Sequence, residues 1–581
     1  MEKPIGDLHC HPSFKPTNNP EIKDIWTYKN NSNTKDLFQG ILGVSPRRWL
    51  VNIFVKDLAR YTQSNLDNCY EGNNRLLFLS IYPIERQFLK VDRPFSTSTF
   101  LQRLILGKVF GIKLKLDIDS RIFRILTGFS EDNVNYYLKN AYESEVVDYF
   151  DADLKTEYQY LKNSDLSSSS NISDENCPSF QLVSNYEEYL ELTNKNIIAG
   201  IVTIEGMHAL GQYKTSDLFG IKSINELQPE AQTQLKNHFI TNVSRLKNKT
   251  EFEFTPYFIT FAHHFNNLLT GHAKSFGEAK NKSVPGFSNV FNQKKGLDLG
   301  ISDFGKELII NHLLSKTNGQ RILIDTKHMS LEARNDYNAI VKDFRRRNDT
   351  VPIIISHTAI NGISTRAKAA EKEDTNQLDK NSYVSRWDIN VTDEDIIDVF
   401  ESEGIIGVCM HDGRMPGGKF KALLKGYKKG NIQKESVSRL HTQMFLTNVF
   451  HIVKINLKHI RKHNEQHPEA CIPEVDAWKT MCLGSDNDGI VDPFDNFSTA
   501  STFGDFKQRV EQAITCNFHK PWKKFRILCI EEDSYHFFNE TELQDLMQGL
   551  SPEAISDKIF SDNIQHFLSK FYTKAYLNDD V

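Results

Sequence analysis

The chain has 581 residues, of which 39% are hydrophobic and 25% are charged, and its formal net charge is -5. This composition is ordinary for a soluble globular protein, and the weak negative charge gives no reason to expect a nucleic-acid partner. The length would allow several domains, although a barrel enzyme with insertions can also fill it as one domain.

The sequence carries no targeting or membrane signal that we can identify. No apolar stretch reaches the roughly 18 residues of a membrane span, and the first residues lack the apolar segment of a secretion signal. The eight cysteines form no C-x-x-C pair, so neither a zinc knuckle nor a disulfide framework is indicated. We therefore expect a cytoplasmic protein with reduced thiols and no membrane partner.

The first predicted strand leads into two histidines. The apolar run that begins at Ile5 reaches His9 and His11, and Pro12 then ends it. Alternate residues of a strand point to the same face, so both imidazoles can face one point just beyond the strand. This arrangement suits a zinc-type ion, although two histidines on a surface turn are the alternative for so short a motif.

Seven further apolar runs have the composition of buried parallel strands, and most of them lead into a residue that can bind a metal. The runs begin at Arg75, Ile197, Thr255, Arg321, Val351, Ile405 and Met481, and five of them end in Glu205, His263, His328, His357 and Asp486. Helix-like segments fill most of the gaps, which indicates a parallel sheet with right-handed crossovers.

Eight such strands with polar groups at their carboxyl ends predict an α/β fold, a (β/α)8 TIM-type barrel. A doubly wound open sheet is the alternative. It would not bring the first and last strands to one site, whereas a closed barrel does, and the shared chemistry of the strand ends therefore favours closure.

The extra length is expected to lie in insertions into one barrel domain over residues 1–581. Phe100, Leu101, Leu104 and Ile105 have helical spacing, so residues 83–196 are predicted to form a mostly helical insertion between strands two and three. Smaller insertions are expected around residues 266–300 and 415–480, at the barrel mouth. Residues 492–581 are predicted to form a C-terminal helical extension that packs on the barrel.

The residues at the strand ends have the composition of a hydrolytic site that holds two metal ions. Imidazoles and carboxylates are present in sufficient number for two ions, which can share a bridging carboxylate. Such a pair lowers the pKa of a bound water towards neutrality and polarises a substrate carbonyl.

Six motifs resemble the membrane dipeptidase (renal dipeptidase) family of metallopeptidases, within the amidohydrolase superfamily. They are Asp7-x-His9, Ile204-Glu205-Gly206-x-His208, His263-x-x-Asn266, Ile324-Asp325-x-x-His328-x-Ser330, Ser356-His357 and Gly484-Ser485-Asp486-x-Asp488-Gly489. The resemblance implies a hydrolase with a binuclear centre of two zinc ions per chain. It also implies a dipeptide or similar small-molecule substrate, and a homodimer, because family members are often dimers.

The resemblance assigns a role to each strand-end residue. Glu205 corresponds to the carboxylate that bridges both ions. His9 and His11 would bind one ion, and His328 and His357 would bind the other.

Catalysis and substrate binding are also assigned by resemblance. His263 would contact the substrate carbonyl and the developing oxyanion, and Asp486 would pass a proton from the attacking water to the leaving amine. Arg366 is the predicted ligand of the substrate carboxylate, with Arg386 as a weaker candidate. His264 is not part of this assignment: if the strand continues through it, its side chain points to the face opposite His263, and we expect a packing or loop role.

One position departs from the family pattern. His11 stands where the family usually has an aspartate, which leaves the site one charge unit more positive. We therefore keep two alternatives to a dipeptidase. The first is an amidohydrolase acting on an N-acyl amino acid, a lactone or a cyclic amide, and the second is a non-catalytic metal-binding protein.

Overall fold

The computed structural model describes residues 3–28, 61–89, 123–124, 127–171, 177–193, 195–275, 293–371, 380–428, 434–519, 526–532 and 534–578. The strands are β1 Ile5–Cys10, β2 Asn74–Ile81, β3 Val146–Asp148, β4 Ser179–Leu182, β5 Ile197–Glu205, β6 Gln212–Lys214, β7 Phe258–Thr260, β8 Leu323–Asp325, β9 Ile354–Thr358, β10 Ile405–Val408, β11 Met481–Leu483, β12 Leu528–Ile530 and β13 Tyr535–Phe537.

Helices occupy most of the segments between these strands. They are α1 Phe14–Asn18, α2 Leu66–Glu71, α3 Glu131–Glu143, α4 Lys155–Ser164, α5 Tyr186–Leu192, α6 Thr215–Gly220, α7 Pro229–Leu246, α8 Asp303–Glu307, α9 Leu331–Arg346, α10 Arg366–Ala370, α11 Asp393–Glu401, α12 Gly418–Lys428, α13 Lys434–Gln466, α14 Phe503–His519, α15 Glu540–Met547, α16 Pro552–Asp557, α17 Asn563–Phe571 and α18 Lys574–Leu577. None of these helices is long and apolar enough to cross a membrane.

Eight parallel strands close into a barrel. Their order is β2-β1-β11-β10-β9-β8-β7-β5, and β5 pairs back with β2 from Ala199 to Ile204. The first and last strands of the barrel meet where Asp7 pairs with Leu483. The predicted (β/α)8 barrel is therefore confirmed, and the open sheet is excluded.

The apolar strands are buried on both faces, as expected when side chains fill the barrel and helices cover it. In β2, Leu77, Phe78 and Leu79 are completely buried. Backbones also approach closely: a Cβ on Gly407 or Gly484 would lie about 2 Å from the Ser356 carbonyl oxygen, so only glycine fits at either position.

The segment between β2 and β5 contains helices and an additional strand. Helices α3, α4 and α5 lie in this segment, and β4 extends the sheet by pairing with Ile197–Gly200 of β5. Residues 90–122, which include the predicted helical spacing around Phe100, lie outside the described residues.

The C-terminal segment packs against the amino-terminal end of the barrel. The Asn563 side-chain amide, at the start of α17, donates to the carbonyl oxygens of Trp478 and Met481 at 2.6 and 2.7 Å. A Cβ added to Gly6 in β1 would meet Ile564 at 2.8 Å. The segment also contains an antiparallel hairpin, β12–β13, which the sequence did not predict. The opposite, carboxyl-terminal end of the barrel is where the predicted site residues lie.

Candidate active site

The carboxyl ends of β1, β5, β7, β8, β9 and β11 bring seven predicted residues together. All are buried, and they are His9, His11, Glu205, His263, His328, His357 and Asp486. We refer to this set as the strand-end cluster. Its residues are separated by up to 477 positions in sequence, so only closure of the barrel allows them to meet.

The first group of potential ligands in the strand-end cluster is centred on His9 and His11. The Nε2 atoms of His9 and His11 lie 3.1 Å apart. They lie 3.4 and 3.2 Å from the carboxylate of Glu205 and 3.9 and 3.5 Å from Oδ1 of Asp486. Four potential ligand atoms therefore surround one point.

The second group of potential ligands is centred on His328 and His357, and it shares Glu205 with the first group. Oε1 of Glu205 lies 3.4 Å from Nε2 of His328 and 3.7 Å from Nε2 of His357. Oδ2 of Asp486 lies 3.6 Å from Nε2 of His357. Glu205 therefore belongs to both groups of potential ligands.

These spacings fit metal ligands better than hydrogen-bonded pairs. Tetrahedral ligands about 2.1 Å from a zinc ion lie about 3.4 Å from one another, whereas N–H···O hydrogen bonds centre near 2.9 Å. In addition, Nδ1 of His9 and both ring nitrogens of His328 are buried without a hydrogen-bond partner in the described parts of the chain. Imidazole and carboxylate donors of this kind suit zinc.

Two cluster residues have an unusual backbone conformation. His328 and Asp486 have φ values of 66° and 59°, in the left-handed region. Aspartate and histidine adopt this region more readily than most residues, but it still costs about 1–3 kcal/mol when the surroundings impose it. Such positions concentrate at functional sites, and here they set the direction of two side chains at the ends of β8 and β11.

Neighbouring polar groups orient the imidazoles. Nδ1 of His11 donates to the carbonyl oxygen of Ser80 at 2.8 Å, so Nε2 is the atom that would bind an ion after losing its proton. The hydroxyl of Ser356 lies 2.9 Å from Nδ1 of His357. Burial would lower the pKa of His11, but hydrogen bonds and charge from Asp486 and Glu205 outweigh it and raise that pKa to about 10.

The buried carboxylate of Glu85 holds His263, and sequence reasoning missed it. Oε2 of Glu85 accepts from Nδ1 of His263 at 2.6 Å, and Oε1 accepts from the Phe265 amide at 3.0 Å. Burial would lower the pKa of His263, but the negative charges of Glu85 and Glu205 raise it to about 9. Nε2 of His263 lies 3.5 Å from Oε1 of Glu205, inside the cluster. Glu85 follows the end of β2 by four residues, so a search that included strand-end loops would have found it.

His264 also lies at the cluster, and the prediction that it points away is wrong. Its ring centroid is 3.9 Å from that of His263 and 4.8 Å from that of His328. The prediction assumed that the strand continues through this position, but β7 ends at Thr260. Side chains beyond that point no longer alternate between two faces.

The structure does not bring Arg366 to the cluster. Its guanidinium contacts Asp395 at 2.8 Å, Asp398 at 2.6 Å, and the Asn335 side chain at 2.6 Å. These partners lie on α9 and α11, so Arg366 connects helices outside the barrel. Arg386 donates to the carbonyl oxygens of Asn361 and Gly362.

Two other cations lie close to the cluster and were not predicted. Arg414, in the loop after β10, interacts electrostatically with Asp486 and Glu205. Lys327, which precedes His328 in the sequence, is buried. Its ammonium donates to the Ile389 carbonyl oxygen at 3.3 Å. Burial, with the positive charge of Arg414 added, lowers the pKa of Lys327 to about 8.

Comparisons with known proteins found similarity among solved structures only. No protein-family model matches the sequence, and no curated protein matches it. The metallopeptidase dipeptidase AC is 10% identical and has a TM-score of 0.41, and the match covers 98% of this chain and 99% of that chain.

Two further solved structures are similar. A metallopeptidase from Rhodobacter sphaeroides, liganded with a phosphinate mimic of L-Ala-D-Ala, is 11% identical with a TM-score of 0.42, over 98% of this chain and 99% of that chain. The probable dipeptidase PvdM from Pseudomonas aeruginosa is 12% identical with a TM-score of 0.38, over 87% of this chain and 88% of that chain.

Proposed function

We propose that the protein is a metal-dependent hydrolase that cleaves a small peptide or amide bond, with a dipeptide as the leading substrate. The supporting observation is the position of Glu205, whose carboxylate lies between 3.2 and 3.7 Å from the Nε2 atoms of five histidines. A buried carboxylate surrounded in this way matches the bridging ligand of a two-ion site.

Two sets of residues would hold the ions. His9, His11 and Glu205 would hold one, and His328, His357 and Glu205 would hold the other. When bound, two zinc ions lower the pKa of a water molecule and polarise the scissile carbonyl.

The chain's own residues supply the proton transfers. Asp486 lies between the two ligand sets, with Oδ1 near His11 and Oδ2 near His357, so it can accept a proton from the attacking water. The same carboxyl can then donate that proton to the leaving amine. Glu85 keeps His263 protonated, so that Nε2–H can donate a hydrogen bond to the developing oxyanion.

The test is amino-acid release from a panel of L-L, L-D and glycine-containing dipeptides. The purified protein is stripped with a chelator, reconstituted with zinc and assayed, with Asp486→Asn as the matched inactive control. Cleavage that disappears on chelation and returns with zinc is the expected result. Zinc binding without cleavage of any dipeptide would favour an N-acyl amino acid, a lactone or a cyclic amide as substrate. Equal activity of wild type and Asp486→Asn would refute the proposed mechanism.

A further inference from the structure

The main chain of Arg414 is fixed in the loop after β10, the strand that lies between the two strands leading to His357 and Asp486. The Asn390 side-chain amide donates to the Arg414 carbonyl oxygen at 3.0 Å, and the Met415 amide donates to the His411 carbonyl oxygen at 3.2 Å. Pro416 forms a β-bridge with Val384. The loop after β10 is therefore held against residues 384–390, the segment that also contacts Lys327.

The side chain of Arg414 has an unmet hydrogen-bonding capacity. Its Nη1 atom is closed off from solvent and has no hydrogen-bond partner within the described ranges. The same is true of Nε1 of Trp387, on the adjoining segment. A guanidinium nitrogen that is desolvated and unpaired is unfavourable in the free protein, and an anionic ligand would satisfy it.

Four other buried cations of the described chain are paired with carboxylates, whereas Lys247 and Arg386 donate to carbonyl oxygens. Each of the four contacts a carboxylate within 2.8 Å: Arg86 with Asp153, Arg334 with Asp395, Arg366 with Asp395, and Lys15 with Asp488. The ammonium of Lys327 instead has a long contact to a carbonyl oxygen. The two cations closest to the cluster thus differ from these four.

The guanidinium of Arg414 and the buried ammonium of Lys327 carry like charges, which repel each other more strongly in a protein interior than in water. An anion placed beside both would reverse this effect. A carboxylate matches the planar fork of a guanidinium, which binds it through two parallel hydrogen bonds.

We propose that Arg414, supported by Lys327, forms a subsite for a carboxylate of the substrate, in the loop after β10 rather than at Arg366. This inference deepens the proposed function and rests on it for the position of the scissile bond. Substrates that carry a carboxylate next to the cleaved amide are then preferred over the same compounds with that group neutralised.

The kinetic test compares glycyl-L-alanine with glycyl-L-alanine amide, which differ only in the carboxylate. For the zinc-loaded wild type we expect the free acid to be the better substrate. In Arg414→Gln, kcat/KM for the acid should fall about 100-fold, mainly through KM, while the value for the amide stays within a factor of about 3. Arg414→Lys should recover part of the loss, because it restores the charge without the planar fork. An equal loss for acid and amide would overturn the proposal.

A binding test on the metal-free protein does not depend on catalytic activity. Metal-free wild type should unfold at a higher temperature in N-acetylglycine than in N-acetylglycinamide, and Arg414→Gln should show no such difference. The unliganded variant should unfold no earlier than the wild type, because the guanidinium has no carboxylate partner to lose. Stabilisation by N-acetylglycine that is unchanged in Arg414→Gln would contradict the subsite. If the wild type cleaves no dipeptide but the Arg414-dependent shift is present, the proposed function fails and the anion subsite stands.

Discussion

At the scale of single residues, the strand-end cluster places two buried carboxylates among five buried imidazoles. Burial would raise the pKa of Glu205, but the charges of His263 and His9 hold it well below its usual range, so Glu205 is ionised. By contrast, burial and the neighbouring charges of His9 and Lys327 hold the pKa of His357 well below its ordinary value. An ionised Glu205 beside a neutral His357 is the protonation state that a divalent ion requires of its ligands, whereas His11, with a pKa of about 10, has to release a proton before it can bind an ion.

The Asp486→Asn variant tests whether this residue transfers protons in catalysis or binds a metal ion. Asparagine tolerates the left-handed backbone at this position and keeps the shape of the side chain, so the fold should be unaffected. Loss of the proton acceptor should lower kcat by about 100-fold to 10,000-fold, with the zinc content unchanged. Steady-state kinetics and metal analysis of the same sample check both statements. A parallel loss of one ion would instead make Asp486 a metal ligand.

Sequence reasoning found the cluster residues that lie within three residues of a strand end and missed neighbours that lie four or more residues beyond one. His9, Glu205 and His357 were identifiable because a buried strand has a fixed direction and its carboxyl end lies at the barrel mouth. Glu85, His264 and Arg414 lie beyond the strand ends, where side-chain direction depends on loop contacts that have no periodic pattern. Arg366 was assigned because it follows His357 closely in the sequence. Closeness in sequence does not determine the direction of a side chain beyond the end of a strand.

At the scale of secondary-structure elements, Arg366 connects α10 with α9 and α11. Its guanidinium contacts two buried carboxylates, those of Asp395 and Asp398, and its main-chain amide donates to Glu394. Arg334 of α9 also contacts Asp395 at 2.6 Å. This network positions the helices that follow β8 and β9 on the outside of the barrel.

Arg366→Leu should therefore affect stability and not substrate binding. Removing one partner from a buried ion-pair network costs about 3–5 kcal/mol, since Asp398 would be left without its guanidinium. We expect a lower unfolding temperature and an unchanged KM for dipeptides at temperatures where the variant is folded. A large increase in KM without loss of stability would restore the role that the sequence suggested.

Helix α4 joins the insertion to the barrel mouth through a buried carboxylate. Glu157 accepts from the Ser13 hydroxyl at 2.6 Å and from the Tyr82 amide at 3.1 Å, and these donors follow β1 and β2. Burial raises the pKa of Glu157 from 4.5 to about 7. The folded protein therefore keeps this proton to a higher pH than the unfolded chain does.

Glu157 should make stability depend on pH. The contribution of a carboxyl with a raised pKa is fully present below pH 4.5 and is lost as the pH rises through 7, because the unfolded chain releases the proton first. The free energy of unfolding of wild type relative to Glu157→Gln should fall by about 3 kcal/mol over this range. Denaturant titrations of the metal-free proteins at pH 5 and pH 8 measure the difference. If the difference in free energy of unfolding between wild type and Glu157→Gln does not change with pH, Glu157 titrates normally in the folded protein.

At the scale of the whole molecule, closure of the barrel creates the site. The Asp7 carboxylate in β1 accepts from the Ser485 hydroxyl and amide at 2.5 and 2.8 Å, which joins the first strand to the loop after the last. The eight strands were predictable because each is a continuous apolar run between polar segments. The added strand β4 and the hairpin β12–β13 were not, because β4 and β13 contain polar residues and lie in no continuous apolar run.

We propose that barrel closure assembles a two-ion centre around Glu205. The most direct test of this proposal is the number of zinc ions that wild type and Glu205→Gln retain after equilibrium dialysis against defined free zinc. The account predicts two ions per wild-type chain and weakened binding at both positions in Glu205→Gln, since the carboxylate is shared. A wild type that retains no zinc, or one whose zinc binding is unaffected by Glu205→Gln, would contradict it.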